Sequence, residues 1–264
     1  MDAWLNSPHA LRLLLAVVGL ATAVAVERLL PFRSAGANGM RREFRHLTLW
    51  AIGAGLVLGV SFATALGAAE AARLAGFGLL NRWSLPDPAA ILVTVLVLDV
   101  WTYALHRLYH GVPILWRLHR VHHSDESLTA TTGIRFHPAE VLLSALLRIP
   151  VVLLLGASVS GVVVFEIVLL AASQFQHADI RLPDRWARTL GAVLITPNLH
   201  RTHHSVLGAE ADSNFGTISS VWDRLFATLR LVRPEQVAVG PPQDRGPLPA
   251  DPSLLRLLSM PFVG

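Results

Sequence analysis

Apolar residues dominate long stretches of the chain, and most of the polar residues lie between them. Residues 13–26, 47–69 and 89–105 form three apolar runs with a single charge among them, Asp99. About 20 apolar residues suffice to cross a bilayer as a helix. We therefore predict three membrane helices here. The first is expected to be an uncleaved anchor rather than a signal peptide, because no basic cluster precedes it.

A fourth apolar stretch, residues 141–173, is interrupted. Arg148 and Pro150 lie in its first half, and residues 156–158 (GAS) form a turn signal between the halves. Each half has about 15 residues, which is short for a perpendicular crossing. The pattern indicates a helical hairpin that enters the membrane and returns, without a full crossing being required.

The arginines indicate how the chain is oriented. Residues 28–46 contain five Arg and one Glu directly after the first apolar run, and such basic segments favour the cytoplasmic side. The alternation of spans then brings residues 106–140 and 174–264 to the same side. Ten of the twelve His lie in those two segments. We therefore expect an integral protein of a bacterial inner membrane, with its chemistry on the cytoplasmic side.

Composition supports a membrane protein and narrows the chemistry. The chain is 53% hydrophobic and 15% charged, whereas a soluble domain carries about 25% charged residues. Without Cys, disulfides, thiolate ligands and Cys nucleophiles are excluded, and without Lys, Schiff-base chemistry is excluded. The net charge of +4 is concentrated in residues 28–46, so it does not indicate a nucleic-acid partner.

Clustered histidines are the candidate functional groups. His106 and His110 follow the third apolar run at a spacing of four, which places both rings on one helical face. The pattern HxxHH occurs at residues 119–123 and again at 200–204. Adjacent residues diverge by about 100° around a helix, so the paired rings can reach two different metals.

Two single histidines, His137 and His177, complete a set of ten. Neutral imidazole binds Fe, Zn, Cu and Ni, and it is less costly to bury than a carboxylate. One metal cannot use ten rings, so the set favours two metals. The predicted metal ligands are His106, His110, His119, His122, His123, His137, His177, His200, His203 and His204. We expect surface or structural roles for His9 and His46.

These motifs resemble the membrane fatty acid hydroxylase and sterol desaturase superfamily over residues 95–230. The likeness also includes RFHPAE at 135–140, NFG at 214–216 and WD at 222–223. It implies an all-α integral membrane helical bundle of about four transmembrane or membrane-embedded helices. A cytosolic helical cap would hold a histidine dimetal site. The implied cofactors are two iron ions and O₂, and zinc can replace iron in a purified sample.

Two departures from related patterns narrow the function. The first histidine box, HxxxH, is narrower than the HxxxxH box of acyl-CoA desaturases and fatty acid 2-hydroxylases. Ser173 stands four residues before His177, where the 2-hydroxylases carry another histidine. The sequence therefore argues against 2-hydroxylation and leaves nine or ten ligands.

Polar residues near the histidines are candidates to orient them. A metal-bound imidazole usually donates its other N–H to a carboxylate or carbonyl. The candidate orienting groups are Asp99, Glu140, Asp179, Asn214 and Asp223. Alternatively, Asp99 bonds Tyr103, and Asp223 caps a helix or forms an ion pair.

These patterns divide the chain into three segments and favour one function. Residues 1–88 would be transmembrane anchor helices, residues 89–233 the catalytic domain, and residues 234–264 a Pro-rich tail with little helix. We predict O₂-dependent hydroxylation of a fatty acyl or sterol-like lipid, with electrons from a separate protein. The alternatives are a desaturase on the same scaffold and a metal-binding or metal-transport protein without oxidase chemistry.

Overall fold

The computed structural model is helical, as predicted. It describes residues 8–33, 39–60, 64–83, 85–246, 248 and 252–263, with side chains from residue 14 onward. The described residues form helices joined by short loops and three isolated antiparallel bridges, and they contain no extended strand.

Four helices are described in the N-terminal part. They are α1 (Pro8–Leu29), α2 (Gly39–Gly59), α3 (Ala65–Leu74) and α4 (Leu79–Trp83). The predicted single helix over residues 47–69 is therefore wrong. The helix begins earlier, inside the Arg-rich segment, and a separate helix starts after Thr64, whose hydroxyl accepts the backbone N–H of Gly67 as an N-cap. Residues 61–63 lie outside the described residues.

The helix predicted over residues 89–105 is confirmed as α5 (Asp87–Gly111), which continues through the first histidine box. The next helix, α6 (Pro113–His123), starts almost at once. Val112 between them is extended, because a residue before proline is disfavoured in the helical region. This break turns α6 away from the α5 axis and brings the second box back towards the first.

The apolar hairpin consists of α7 (Pro138–Leu155) and α8 (Val159–His177). With 18 and 19 residues, its helices are longer than predicted. Together with α5, they are the described helices that are long and apolar enough to cross a membrane. Gly156 ends α7 in a left-handed conformation (φ +64°), which glycine adopts without steric cost. The predicted length of each half was therefore too small, whereas whether the hairpin crosses the membrane stays a prediction.

Charged residues within the hairpin lie opposite each other. Arg148 on α7 and Glu166 on α8 are 3.8 Å apart, so each reduces the cost of burying the other in an apolar layer. Around the hairpin turn, small residues such as Ala68 and Ala69 of α3 pack in the core with Leu98 and Phe165. Small residues allow helices to approach closely.

Short helices and loops cover the histidine end of the bundle. They are the 3-10 helix Ala130–Ile134, α9 (Asp184–Gly191), α10 (Pro197–His203), α11 (Gly208–Ala211) and α12 (Val221–Leu225). The Arg-rich segment lies at this same end, since the Phe32 N–H donates to the Asp179 carbonyl at 2.7 Å. Both segments therefore lie at one end of the described bundle, whereas their side of the membrane and the compartment stay predictions.

The described residues after 233 pack against the rest of the chain. A bridge joins Val239 to Ser205, and a last helix, α13 (Leu254–Ser259), places Leu257 in a cluster with Leu49 and Val121. The expectation of little helix holds for the stretch before α13, but the segment is anchored at both of these points. Leucines at 254, 257 and 258 explain the docking, since they form one apolar face.

Candidate metal centre

Nine histidines, eight from α5, α6, α8 and α10 and one directly after α10, form two adjacent groups. The five-histidine group contains His106, His110, His119, His123 and His203. The four-histidine group contains His122, His177, His200 and His204. Within each group the ligand nitrogens lie within 4.8 Å of one another, and eight of the nine residues are buried. The structure thus brings together nine of the ten predicted residues.

The two HxxHH motifs contribute to both groups. His122 and His123 diverge with ring planes at 90°, and His203 and His204 diverge at 85°. The helical angle between adjacent residues causes this divergence. Each motif therefore supplies one member of its adjacent pair to each group, as the sequence predicts.

The ring nitrogens are spaced as ligands of a common ion would be. The Nε2 atoms of His106 and His119 are 3.2 Å apart, and those of His177 and His200 are 2.8 Å apart. Two nitrogens that each lie about 2.1 Å from one metal at a right angle would be about 3.0 Å apart. The spacing therefore fits first-row metal ions.

Backbone carbonyls determine which nitrogen carries the proton in four of the rings. A carbonyl only accepts, so each Nδ1 that faces one must donate. The pairs are His106 with Phe215 (2.8 Å), His122 with Arg135 (3.2 Å), His177 with Ser173 (2.6 Å) and His203 with Ser213 (2.8 Å). The Nε2 lone pairs then converge, and the buried Nε2 atoms of His203 and His204 have no hydrogen-bond partner. Converging lone pairs repel unless a cation lies between them, so the set fits bound metal.

Burial keeps these imidazoles neutral. It lowers the pKa of His119 to about 3, and the nearby charge of Arg245 adds to the effect. Burial, followed by the neighbouring rings, also holds the pKa values of His122, His200 and His204 well below the ordinary value. The rings are therefore neutral imidazoles at neutral pH, each with one nitrogen free of a proton, as metal ligands must be.

Two carboxylates contact ligand rings. Glu140 lies 2.7 Å from His119 Nδ1, and Asp212 lies 3.1 Å from His110 Nδ1. Glu140 is one of the predicted orienting residues, and the ring that it contacts belongs to the HxxHH motif of residues 119–123. Sequence reasoning missed Asp212, for which the nearby NFG motif is a weak signal.

Asp99 does not contact a histidine. Its carboxylate accepts the Trp222 indole N–H at 2.7 Å and the Ser219 N–H at 3.3 Å. Asp99 lies about two turns before His106 on α5, where the helix faces the start of α12 rather than the metal groups. Both predictions for Asp99, that it orients a histidine and that it bonds Tyr103, are therefore wrong.

Asp179 is likewise engaged elsewhere. It accepts the Arg201 guanidinium at 2.7 Å and the Arg33 N–H at 3.0 Å. His177 instead uses the carbonyl of Ser173, one turn earlier on its own helix. Asp179 therefore joins the Arg-rich segment to the HxxHH motif of residues 200–204 and does not orient His177.

Asn214 and Asp223 act on the histidines indirectly. Asn214 adopts a left-handed φ of 51°, which asparagine tolerates, and its side chain accepts the Arg230 N–H at 2.8 Å. Asp223 accepts the N–H groups of Phe215 and Gly216 at 2.7 and 2.9 Å. A Cβ on Gly216 would lie 2.8 Å from the Asp223 carboxylate, which explains the glycine. Together they fix the loop whose carbonyls orient His106 and His203.

The structure places His137 outside both groups. Its Nδ1 accepts the Ala139 N–H at 3.1 Å, and its Nε2 lies 3.1 Å from the Leu258 carbonyl, so it caps α7 and contacts α13. The prediction of a tenth ligand is corrected accordingly. His46 is buried against the Thr131 hydroxyl, in keeping with a structural role, whereas the His9 side chain lies outside the described residues.

Comparison with known proteins identifies the family. The model of the fatty acid hydroxylase family matches residues 91–228, which is just over half of the chain and includes all nine clustered histidines. The chain belongs to the fatty acid hydroxylase family. The resemblance inferred from the histidine boxes is confirmed.

Curated relatives of the family share this region. Ornithine lipid hydroxylase OlsE of Rhizobium tropici is 31% identical over 61% of this chain and 47% of its own length. Alkylglycerol monooxygenase of Danio rerio is 33% identical over 49% of this chain and 28% of its own. Cholesterol 25-hydroxylase of Rattus norvegicus is 27% identical over 53% and 46%.

The matched region covers less than half the length of each of these relatives. No solved structure matches the chain. The family and the histidine geometry are therefore the basis for assigning a function.

Proposed function

We propose that this protein is a membrane-bound, O₂-dependent lipid hydroxylase with two iron ions held by its nine clustered histidines. The observation that carries the proposal is the division of both adjacent pairs, His122–His123 and His203–His204, between the two groups. A single metal site gives no reason for this division, whereas two neighbouring ions require it. With four and five imidazoles, a six-coordinate ion in each group keeps at least one position open.

Two iron ions bound here would supply the oxidising power to break a lipid C–H bond with O₂. The protein residues control access and water. Phe136 stacks on His122 at 4.3 Å, and Phe215 lies edge-on to His106 and His203 at 5.7 Å. This apolar shell excludes bulk water, which protects a reactive centre from side reactions.

A lipid substrate is supported by the relatives and by the surface. All three relatives are named as oxygenases of lipid or lipid-like molecules. Large apolar side chains such as Val17, Leu58 and Leu154 are exposed on the helices, which suits contact with acyl chains. An apolar cavity of about 310 Å³ also lies between α1, α2 and α8, and it has room for part of one lipid acyl chain.

Lipid analysis tests the reaction. A bacterial host that expresses this chain should accumulate a lipid that is one oxygen atom heavier, and the oxygen should come from labelled O₂. The matched control is the same host with the His122→Ala variant, which should lack the product. A product that is two hydrogen atoms lighter would instead establish the desaturase alternative and overturn hydroxylation.

Metal transport is the alternative from another class. A transport path needs ionisable residues that line it. In the described part of α5, α7 and α8, Arg148 faces Glu166, and Asp99 bonds Trp222. These charges are engaged with one another or with the protein, which favours an enzyme. O₂ consumption coupled to lipid oxidation supports the enzyme, and metal uptake without it contradicts the proposal.

The proposed localisation is a bacterial inner membrane with the metal centre facing the cytoplasm, where a separate protein donates electrons. The chain lacks Cys, so single cysteines can report sidedness without background. Arg181 at the histidine end and Arg73 near the opposite end are 68% and 59% exposed. A membrane-impermeant thiol reagent applied to whole cells should label Arg73→Cys and spare Arg181→Cys. The reverse pattern would place the metal centre outside the cytoplasm.

A further inference from the structure

Arg245 reaches the five-histidine group from beyond the region that the family model matches. It ends the 3-10 helix Gln243–Arg245, in the segment expected to be a tail. Its Nη2 lies 2.5 and 2.6 Å from the two Asp212 carboxylate oxygens, and its Nη1 donates to the His110 carbonyl at 2.8 Å. Its guanidinium also covers the Trp116 ring, 4.3 Å from the centroid.

All these contacts surround one ligand ring. Asp212 Oδ1 lies 3.1 Å from His110 Nδ1, and the Trp116 ring lies 5.1 Å from the His110 ring. On its opposite side, His110 Nε2 lies 3.1 Å from His123 Nε2. The Asp212 side chain is 42% exposed, so without Arg245 it would be free to turn towards solvent.

The position of Arg245 is fixed by backbone pairing with the HxxHH motif of residues 200–204 and with Val206 just after it. The Gly240 N–H donates to the His204 carbonyl at 3.0 Å. The Val206 N–H donates to the Ala238 carbonyl at 2.9 Å, and the Val206 carbonyl accepts the Gln243 N–H at 3.0 Å. The segment is thus joined to the chain just after two ligands. A guanidinium held in this way uses its planar fork to bridge two acceptors, with Nη2 at Asp212 and Nη1 at the His110 carbonyl, and an ammonium lacks this fork.

We propose that Arg245 is a positioning residue of the metal centre that acts through Asp212 on His110. It holds the Asp212 carboxylate on the His110 Nδ1–H, and so directs Nε2 towards the centre of the five-histidine group. The inference rests on the proposed metal centre, and it extends the functional unit past residue 228 into the C-terminal segment.

A double-mutant cycle of Arg245→Ala and Asp212→Asn tests the proposal in the full-length, metal-loaded protein. The readout is the rate at which a chelator removes metal, measured alongside the thermal unfolding temperature. Each single variant should release one of its two ions about 10–100-fold faster, because losing a partner of a ligand ring usually lowers metal affinity by that factor. The double variant should match Asp212→Asn, because Arg245 acts through that carboxylate.

Two further variants separate positioning from general stability. Arg233→Ala removes an exposed arginine directly before this segment and should leave metal release unchanged. Arg245→Lys keeps the charge but loses the fork, so it should restore only part of the retention. Additive effects in the cycle, or equal release rates for Arg245→Ala and Arg233→Ala, would overturn the proposal.

The proposed function can fail separately. A wild-type protein that holds two ions but oxidises no lipid contradicts the hydroxylase, and the release cycle still tests Arg245. If the wild-type protein binds no metal, nitrogen NMR of labelled histidine decides. Arg245→Ala and Asp212→Asn should then shift the same His110 Nδ1–H signal, and an unchanged signal in Arg245→Ala would refute the positioning role.

Discussion

Replacing His122 or His203 by alanine should lower the metal content from two ions to at most one and reduce lipid oxidation more than about 100-fold. Losing an outer partner of a ligand already costs about 10–100-fold, and losing the ligand itself costs more. The two residues belong to different groups, so both groups are tested. Metal analysis and product yield are the measurements.

The group sizes predict a difference between these variants. His122→Ala leaves three imidazoles in its group, whereas His203→Ala leaves four in the other. Metal loss should therefore be more complete for His122→Ala. His137→Gln is the matched control, because His137 lies outside both groups and should retain two ions. Full activity in both alanine variants, or metal loss in His137→Gln, would contradict the assignment of ligands.

Asp223→Ala should weaken metal binding about 10–100-fold although Asp223 touches no histidine. The variant leaves the buried N–H groups of Phe215 and Gly216 without their acceptor, at about 1–3 kcal/mol each. The loop then loses its fixed position, and with it the carbonyls that orient His106 and His203. Metal affinity and thermal unfolding in detergent are the measurements.

Asp99→Asn is the matched control for Asp223→Ala. Asp99 is also a buried carboxylate that accepts two N–H groups, but its partners, Trp222 and Ser219, do not orient a ligand. We expect Asp99→Asn to lower the unfolding temperature and leave metal affinity unchanged. If both variants change affinity equally, the loss is general and the loop has no special role.

Periodic patterns explain which features the sequence predicts well. The apolar run before His106 predicts α5, and the HxxHH spacing alone separates His122 from His123, because helical geometry is local. The limits of α2 and of the hairpin helices are less accurate. A cap such as Thr64 and a turn such as Gly156 fix those limits through single side-chain or backbone contacts.

The surroundings of the rings are harder to predict because most of their partners are backbone carbonyls. The carbonyls that face His106 and His177 belong to Phe215 and Ser173, whose side chains take no part in the hydrogen bond. Of the predicted carboxylates, Glu140 lies at a ring, whereas Asp99 and Asp179 stabilise the packing between segments. Tertiary packing decides between these outcomes, and chain spacing does not encode it.

The adjacent pairs also set how the centre responds to motion. The ring centroids of His122 and His123 are 5.4 Å apart, and those of His203 and His204 are separated by the same distance. Neighbouring Cα atoms are held about 3.8 Å apart by covalent bonds, whatever the helices around them do. A shift of α6 against α10 therefore displaces ligands of both groups together. The two groups are thus mechanically coupled, so such a movement cannot rearrange one of them and leave the other intact.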